Sequence, residues 1–386
     1  MNSLPIPEAD ALAHSRRLQQ LLLSEIGENG GWLPFSRFME RLLYAPGLGY
    51  YAAGSRKFGS AGDFVTAPEM TGLFGQALAR QVAEVLAVSA PVVLEVGAGS
   101  GRLAADLLLA LEAIQALPDQ YFILELSADL RERQRSTLER TLPHLVDRVV
   151  WLDVLPECFS GVVLANELLD AMPVDIVAWR AEGIFVRGVE STVEGGFAWG
   201  ERPATGALLA AASEIAEQCV LPPGFESEIC LASRAWTAEW AERLRCGLLL
   251  LIDYGFPRHE FYHHQRARGT LMCHYRHHAH PDPFYLPGLQ DVTAHVDFTA
   301  IAAAGHAAGL DVLGYASQGR FLLACGILEQ LAAMPPTSTD YLRGAAAVNK
   351  LLLPHEMGEL FKVIALGRGV AEPLCGFAGS DQRHRL

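Results

Sequence analysis

The nine residues Val93-Leu94-Glu95-Val96-Gly97-Ala98-Gly99-Ser100-Gly101 constrain this chain more than any others. A short apolar run ends in three closely spaced glycines, and Leu103 to Leu111 at once takes up helical spacing. So tight a passage from buried strand to helix needs residues without a Cβ. It also lets the backbone approach a ligand at the strand's carboxyl end, where open α/β sheets bind theirs.

The alternation continues beyond the turn. Tyr121 to Leu126 reads as a strand, Leu130 to Leu142 as a helix, and Val149 to Leu152 and Val162 to Ala165 as two further strands. Such a pattern predicts a doubly wound α/β fold with a mainly parallel sheet and helices on both faces. After Pro173 the rhythm breaks. A hairpin is expected from Val174 to Trp179 and Ile184 to Val189, with helices at Ala207 to Gln218 and Ala232 to Leu244, before Leu248 to Ile252 resumes the buried-strand pattern. A helix at Phe298 to Ala308 and sheet elements at Leu310 to Tyr315 and Arg320 to Ile327 complete the expected core. The expected organisation is therefore an N-terminal helical and loop segment covering the active site (1–82), a core (83–173 and 246–330), an inserted subdomain (174–245) and a C-terminal segment (331–386). Within the first segment, Leu18, Leu21, Leu22 and Ile26 recur at helical spacing, and Pro46 to Gly62 reads as loop.

Composition excludes several classes of function. A formal net charge of -14 disfavours non-specific binding to nucleic acid or anionic membranes, where basic surface supplies the affinity. No apolar run is long enough to span a bilayer, and Met1 to Leu23 lacks the basic start and apolar core of a secretory signal. The seven cysteines form no C-x-x-C pair, which suits reduced thiols and a cytoplasmic location. A homodimer is left open. The tract His259, His263, His264, Cys273, His274, His277, His278 and His280 matches no zinc spacing, so a solvated loop and no metal are expected there.

The turn itself discriminates between cofactors. A dinucleotide fingerprint, G-x-G-x-x-G, would place glycine where this chain has Arg102. Glu95, two residues before the first glycine, has no use beside a pyrophosphate, but it suits the ammonium and sulfonium of S-adenosyl-L-methionine. Glu125, ending the second strand, can accept both ribose hydroxyls, and Asp153, after the third, is placed for the adenine edge. Asp63 and Glu69 belong to a glycine-flanked stretch that reads either as a lid over the cofactor or as a turn and a helix start.

Asn166, Glu167 and Asp170 follow the fourth strand, the acceptor side of such a fold. On a helical turn Glu167 and Asp170 would share a face and grip a planar cation such as a guanidinium bidentately. The alternative is a pair of acids favoured at a helix start. His295, near Asp291 and Asp297, is a further active-site candidate, although a lone histidine is more often structural.

Two long motifs go further. Leu43-Tyr44-Ala45-Pro46-Gly47-Leu48-Gly49-Tyr50-Tyr51, continuing to Gly62-Asp63-Phe64-Val65-Thr66-Ala67-Pro68-Glu69, is one, and Ala165-Asn166-Glu167-Leu168-Leu169-Asp170-Ala171-Met172-Pro173-Val174 is the other. With Ile252-Asp253-Tyr254-Gly255, Gly269-Thr270-Leu271 and the stretch Gln290 to Phe298, they resemble the MidA-like family of S-adenosyl-L-methionine-dependent methyltransferases, over positions from about Phe35 to Ala365. The resemblance implies a Rossmann-like class I methyltransferase core with an added subdomain. For mitochondrial members it implies arginine methylation of a respiratory complex I subunit, hence a protein substrate. It assigns Gly97, Gly99 and Gly101 to the cofactor and Glu125 to its ribose. Arg102 stands where threonine is frequent in the family, and Leu168-Leu169 replace a bulkier aromatic pair. Two rivals remain open: a small-molecule methyltransferase, and a cofactor-binding assembly factor with little catalysis.

Overall fold

The computed structural model describes residues 4–53 and 66–386. It divides the chain into two compact units, one of Val65–Leu168, Arg234–Phe256 and Asp297–Leu386, the other of Met1–Phe64, Leu169–Ser233 and Pro257–Val296.

The first unit is built on the strands β1 (Val92–Val96), β2 (Gln120–Leu124), β3 (Val149–Leu152), β4 (Phe159–Asn166), β5 (Leu244–Phe256), β6 (Asp311–Ser317) and β7 (Phe361–Arg368), which lie in the order β6-β7-β5-β4-β1-β2-β3. Strands β5, β4, β1, β2 and β3 are mutually parallel, and β7 runs antiparallel between β5 and β6. The strands of the sheet's centre are near-continuous apolar runs because they are buried on both faces. Val93, Leu164 and Leu250 from the sheet share one core with Leu78 of α1 (Leu73–Leu86), Leu107 of α2 (Arg102–Ala113) and Leu138 of α3 (Ala128–Thr141). The α2 and α3 helices follow β1 and β2 and complete the expected β-α-β rhythm. Ser127 caps α3 by accepting from the Leu130 amide.

Two departures concern the end of the chain. Arg320 to Ile327, expected as a strand, instead runs through the helix Gln318–Ala324 from its third residue and reaches the start of the helix Ile327–Ala332, because a short apolar run does not distinguish a strand from a buried helix. The last strand of the sheet is instead Phe361–Arg368, so the segment 331–386 supplies part of the core.

The second unit gathers three separate stretches of chain. The expected hairpin is present as Asp175–Arg180 and Gly183–Ser191, and it extends into a sheet with Trp32–Pro34, Phe197–Pro203 and Glu226–Ile229. The helix Ala9–Glu28 buries Leu18, Leu22 and Ile26 against Phe35 and Phe38 of the helix Phe35–Tyr44, whereas Leu21 stays partly exposed. Residues 257–296, assigned to the core from sequence, belong to this unit. The histidine-rich tract is not simply a loop: Met272–Tyr275 pairs with His278–His280 and Asp291–Thr293, and Cys273 is fully buried.

Gly161 of β4 and Gly247 of β5 are register partners, both at positive φ (126° and 132°). A Cβ on Gly161 would stand 2.1 Å from the Val92 carbonyl oxygen, and one on Gly247 1.9 Å from that of Gly161. Backbone, not a flexible side chain, fills the space. Gly161→Ala is therefore expected to destabilise the core unit by on the order of 3 kcal/mol or more, measured by urea unfolding; a loss below about 1 kcal/mol would show that the strands can part.

Candidate active site

The glycine-rich turn links β1 to α2, with Gly97, Gly99 and Gly101 all at positive φ (72°, 53° and 80°). Their surroundings differ. A Cβ on Gly101 would lie 3.0 Å from the Gln134 Cα, so this glycine lets α2 and α3 pack closely. A Cβ on Gly99 would meet nothing within 4 Å among the described residues, and this side of the turn is open to a ligand. The Ser100 hydroxyl donates to the Glu69 carboxylate, which brings the short helix Ala67–Met70 to the turn. Asp63 lies outside the described residues.

The acids at the neighbouring strand ends are held firmly. Glu125 accepts from the Ser127 amide at 2.9 Å and from Gln134 Nε2 at 3.1 Å, and burial raises its carboxyl above the usual range against those two bonds. Glu95 is only 2% exposed and lies within the strand, two residues before the turn. Burial pushes its carboxyl up to about 7, with the negative charge of Glu125 adding to the rise and a 2.7 Å bond from the Tyr121 hydroxyl opposing it. Asp153 is exposed and paired at 2.8 Å with Arg131, whose guanidinium also donates to the Glu125 and Leu152 carbonyls and so ties together the ends of β2 and β3.

Sequence reasoning passed over three residues here. Leu126 and Val154, directly after Glu125 and Asp153, are 82% and 74% exposed, apolar side chains at adjacent strand ends. An aliphatic residue just beyond an acid that ends a strand was the available signal. Gln134 is fully buried and bonds to Gly99, Glu125 and Trp151. Its signal was a polar residue in the buried stripe Leu130, Gln134, Leu138 of α3.

The acceptor segment departs from expectation. Residues 167–172 form bends and one turn, not a helix, so Glu167 and Asp170 do not share a helical face. Glu167 adopts φ 51°, a left-handed conformation that a non-glycine residue takes only when its surroundings enforce it. Its amide donates to the Ile252 carbonyl at 2.9 Å, and the next amide, Leu168, donates to the buried Asp253 carboxylate at 3.1 Å. Two bonds from the end of β5 thus fix the turn. Asn166, the last residue of β4, donates from Nδ2 to Glu167 Oε1 at 3.1 Å. Its Oδ1 is buried and has no hydrogen-bond partner among the described residues.

Asp170 and His295 belong to the other unit. Asp170 is buried, and its carbonyl accepts from the Ala294 amide at 3.0 Å. Nearby in sequence to His295, Asp291 accepts from the Tyr51 hydroxyl at 3.0 Å, while the His295 amide donates to Thr270 Oγ1 at 3.0 Å. Asp297 caps the helix Phe298–Ala307. Among the described residues no three His, Cys, Asp or Glu side chains are grouped to hold a metal ion.

The raised Glu95 carboxyl has a consequence for stability. Below the ordinary value of 4.5 it is protonated in both folded and unfolded chains; between 4.5 and about 7 only the unfolded chain gives up the proton. Stability therefore falls as pH rises through that window and is level above it. Glu95→Gln removes this loss. Its stability relative to the parent protein should grow from pH 4.5 to 7 and then remain constant, as read from unfolding midpoints; a difference independent of pH would contradict the assignment.

Comparison with known proteins places these features in a family. The chain matches, over residues 77–316, the family described as "Putative S-adenosyl-L-methionine-dependent methyltransferase". A crystal structure of a superfamily member from Burkholderia thailandensis bound to S-adenosyl-homocysteine is 52% identical, with a TM-score of 0.95 and 100% of both chains covered. A native crystal structure from the same organism gives 51% identity and a TM-score of 0.93, again over 100% of both chains. The Drosophila melanogaster protein named "Protein arginine methyltransferase NDUFAF7 homolog, mitochondrial" is 28% identical over 96% of this chain and 91% of its own length. Its Mus musculus counterpart is 29% identical over 87% and 81%. The chain belongs to the MidA-like family of S-adenosyl-L-methionine-dependent methyltransferases, and S-adenosyl-L-methionine is its cofactor.

Proposed function

We propose that this methyltransferase modifies a protein, at a nitrogen of an arginine side chain held by Asn166 and Glu167. The observation behind the reading is the buried Asn166 Oδ1 with no partner among the described residues, fixed in orientation because Nδ2 is engaged by Glu167. A buried acceptor calls for a donor. An acceptor oxygen beside a carboxylate suits a head group that only donates, and a guanidinium is planar, cationic and donor-only. The left-handed Glu167, bound through the turn to β5, fits a residue whose placement is set by function. The curated relatives named as protein arginine methyltransferases support the same reading. The substrate protein put forward is a respiratory complex I subunit, and the location is the cytoplasm, in keeping with cysteines that are all free among those described. No described helix is long and apolar enough to cross a membrane.

The residues at the strand ends fit the cofactor. Gly99 leaves its approach open, whereas a Cβ on Gly97 would press on the Leu168 side chain, and Glu125 retains lone pairs for two ribose hydroxyls after its bonds to Ser127 and Gln134. Leu126 and Val154 would cover the adenine, with Asp153 at its edge. Glu95 and Glu69 would add negative potential for a cationic ligand. The bound cofactor supplies an electrophilic methyl group. Glu167 and Asn166 would orient the guanidinium for in-line attack, and Glu167 would accept the proton that the nitrogen loses.

Two variants test these roles. Gly99→Val, strained at φ 53° and filling the open side of the turn, should abolish calorimetric binding of S-adenosyl-homocysteine in a protein that remains folded. Glu167→Gln should leave that binding nearly unchanged but lower turnover roughly ten- to hundred-fold, the worth of one charge-assisted hydrogen bond. Mass spectrometry of labelled product from cell extract should find the methyl groups on arginine. Label on lysine, on a carboxylate or on a small metabolite would overturn the arginine assignment.

A further inference from the structure

Gln134 is fully buried, yet it spends every polar atom of its side chain on the cofactor end of the sheet. Trp151 Nε1 of β3 donates to its Oε1 at 2.9 Å, which fixes which end of the amide faces which way. The two N–H groups of Nε2 then go to the Gly99 carbonyl and to Glu125 Oε2, each at 3.1 Å. Three strands are thereby joined through one side chain: β1 through the turn, β2 through Glu125, β3 through Trp151.

The chemistry of the amide explains why these bonds matter to a ligand. Peptide groups are planar and trans, so a carbonyl anchored on one edge directs the following N–H to the opposite edge. With the Gly99 oxygen turned to Gln134, the Ser100 amide faces away from it. Glu125 is held at both oxygens, Oε1 by the Ser127 amide and Oε2 by Gln134, so the carboxylate plane cannot rotate freely. A glutamate in place of Gln134 would set a carboxylate against both an anion and a carbonyl. Leucine or methionine would leave the Gly99 and Glu125 oxygens short of a donor.

We infer that Gln134 is a positioning residue for S-adenosyl-L-methionine: held in one orientation by Trp151, it aligns the Glu125 carboxylate with the ribose hydroxyls and sets the Gly99–Ser100 peptide. The inference rests on the proposed roles of Glu125 and the glycine turn. Gln134 touches no reacting atom and acts only through those groups.

The test is calorimetry on the full chain with S-adenosyl-homocysteine and with its analogue lacking one ribose hydroxyl. Gln134→Met, close in shape but without donors, should weaken binding of the parent ligand on the order of tenfold or more with one site per chain retained. It should weaken the deoxy analogue distinctly less, because the group that Glu125 addresses is missing. Trp151→Phe, which keeps Gln134 and removes the orienting N–H together with part of the ring, should give a smaller loss in the same direction, and serves if Gln134→Met fails to fold. Equal losses on both ligands, or an unchanged dissociation constant with fewer sites, would mean that Gln134 merely supports folding. Glu125→Gln separates the two levels. If it weakens the parent ligand and Gln134→Met does not, the positioning role alone falls; if Glu125→Gln has no effect, the reading of Glu125 falls and this inference with it.

Discussion

A parallel strand buried on both faces can offer polar groups to a ligand only at its ends. In this core unit β1, β2, β3 and β4 run side by side in the same direction, so their carboxyl ends form one edge. Every residue assigned to cofactor or acceptor in the core lies at or just beyond that edge, or is bonded to something that does. Glu95 and the glycines close β1, Glu125 and Leu126 follow β2, Asp153 and Val154 follow β3, and Asn166 and Glu167 end β4. The close backbone contact at Gly161 and Gly247, at the opposite end of β4 and β5, helps fix their register. A slip of one residue would turn Asn166 away from the edge, since successive strand residues face opposite sides.

The parts of the fold that the sequence discloses are those governed by near neighbours. The glycine turn, the β-α-β alternation and the placement of Glu125 and Asn166 all follow from patterns within some thirty residues, and the structure keeps them. Gln134 escapes notice because its partners are remote in sequence, with Gly99 35 residues away, and its role exists only once α3 is packed. The left-handed Glu167 escapes for a different reason. Acids three apart after a strand suggest a helix start, and it is the bonds to Ile252 and Asp253 that select a turn. Boundaries suffer most. The second unit joins three stretches through strand pairing between distant segments, which no local composition reports.

Division of labour within the glycine turn shows the same contrast at the scale of one motif. Read as sequence, Gly97, Gly99 and Gly101 are equivalent. In the structure Gly101 is buried against Gln134, and its missing side chain serves helix packing, while Gly99 faces open space and its missing side chain serves a ligand. Positive φ is common to all three, so strain alone does not separate the roles. What separates them is the identity of the neighbour a Cβ would strike.

The acidic residues at this edge also constrain how a cation can bind. Glu95 and Glu125 both hold their protons more tightly than free carboxylates, chiefly because burial disfavours charge, and Glu125 adds to the rise at Glu95. A positively charged ligand nearby supplies the opposite charge that burial withholds, and so favours the ionised forms. Proton and cation therefore oppose one another at this edge, each weakening the hold on the other. The bonds from Tyr121, Ser127 and Gln134 already lower that cost, because each donates to a carboxylate oxygen before any ligand arrives. An edge prepared in this way pays its desolvation on folding, so that the cofactor meets carboxylates already oriented.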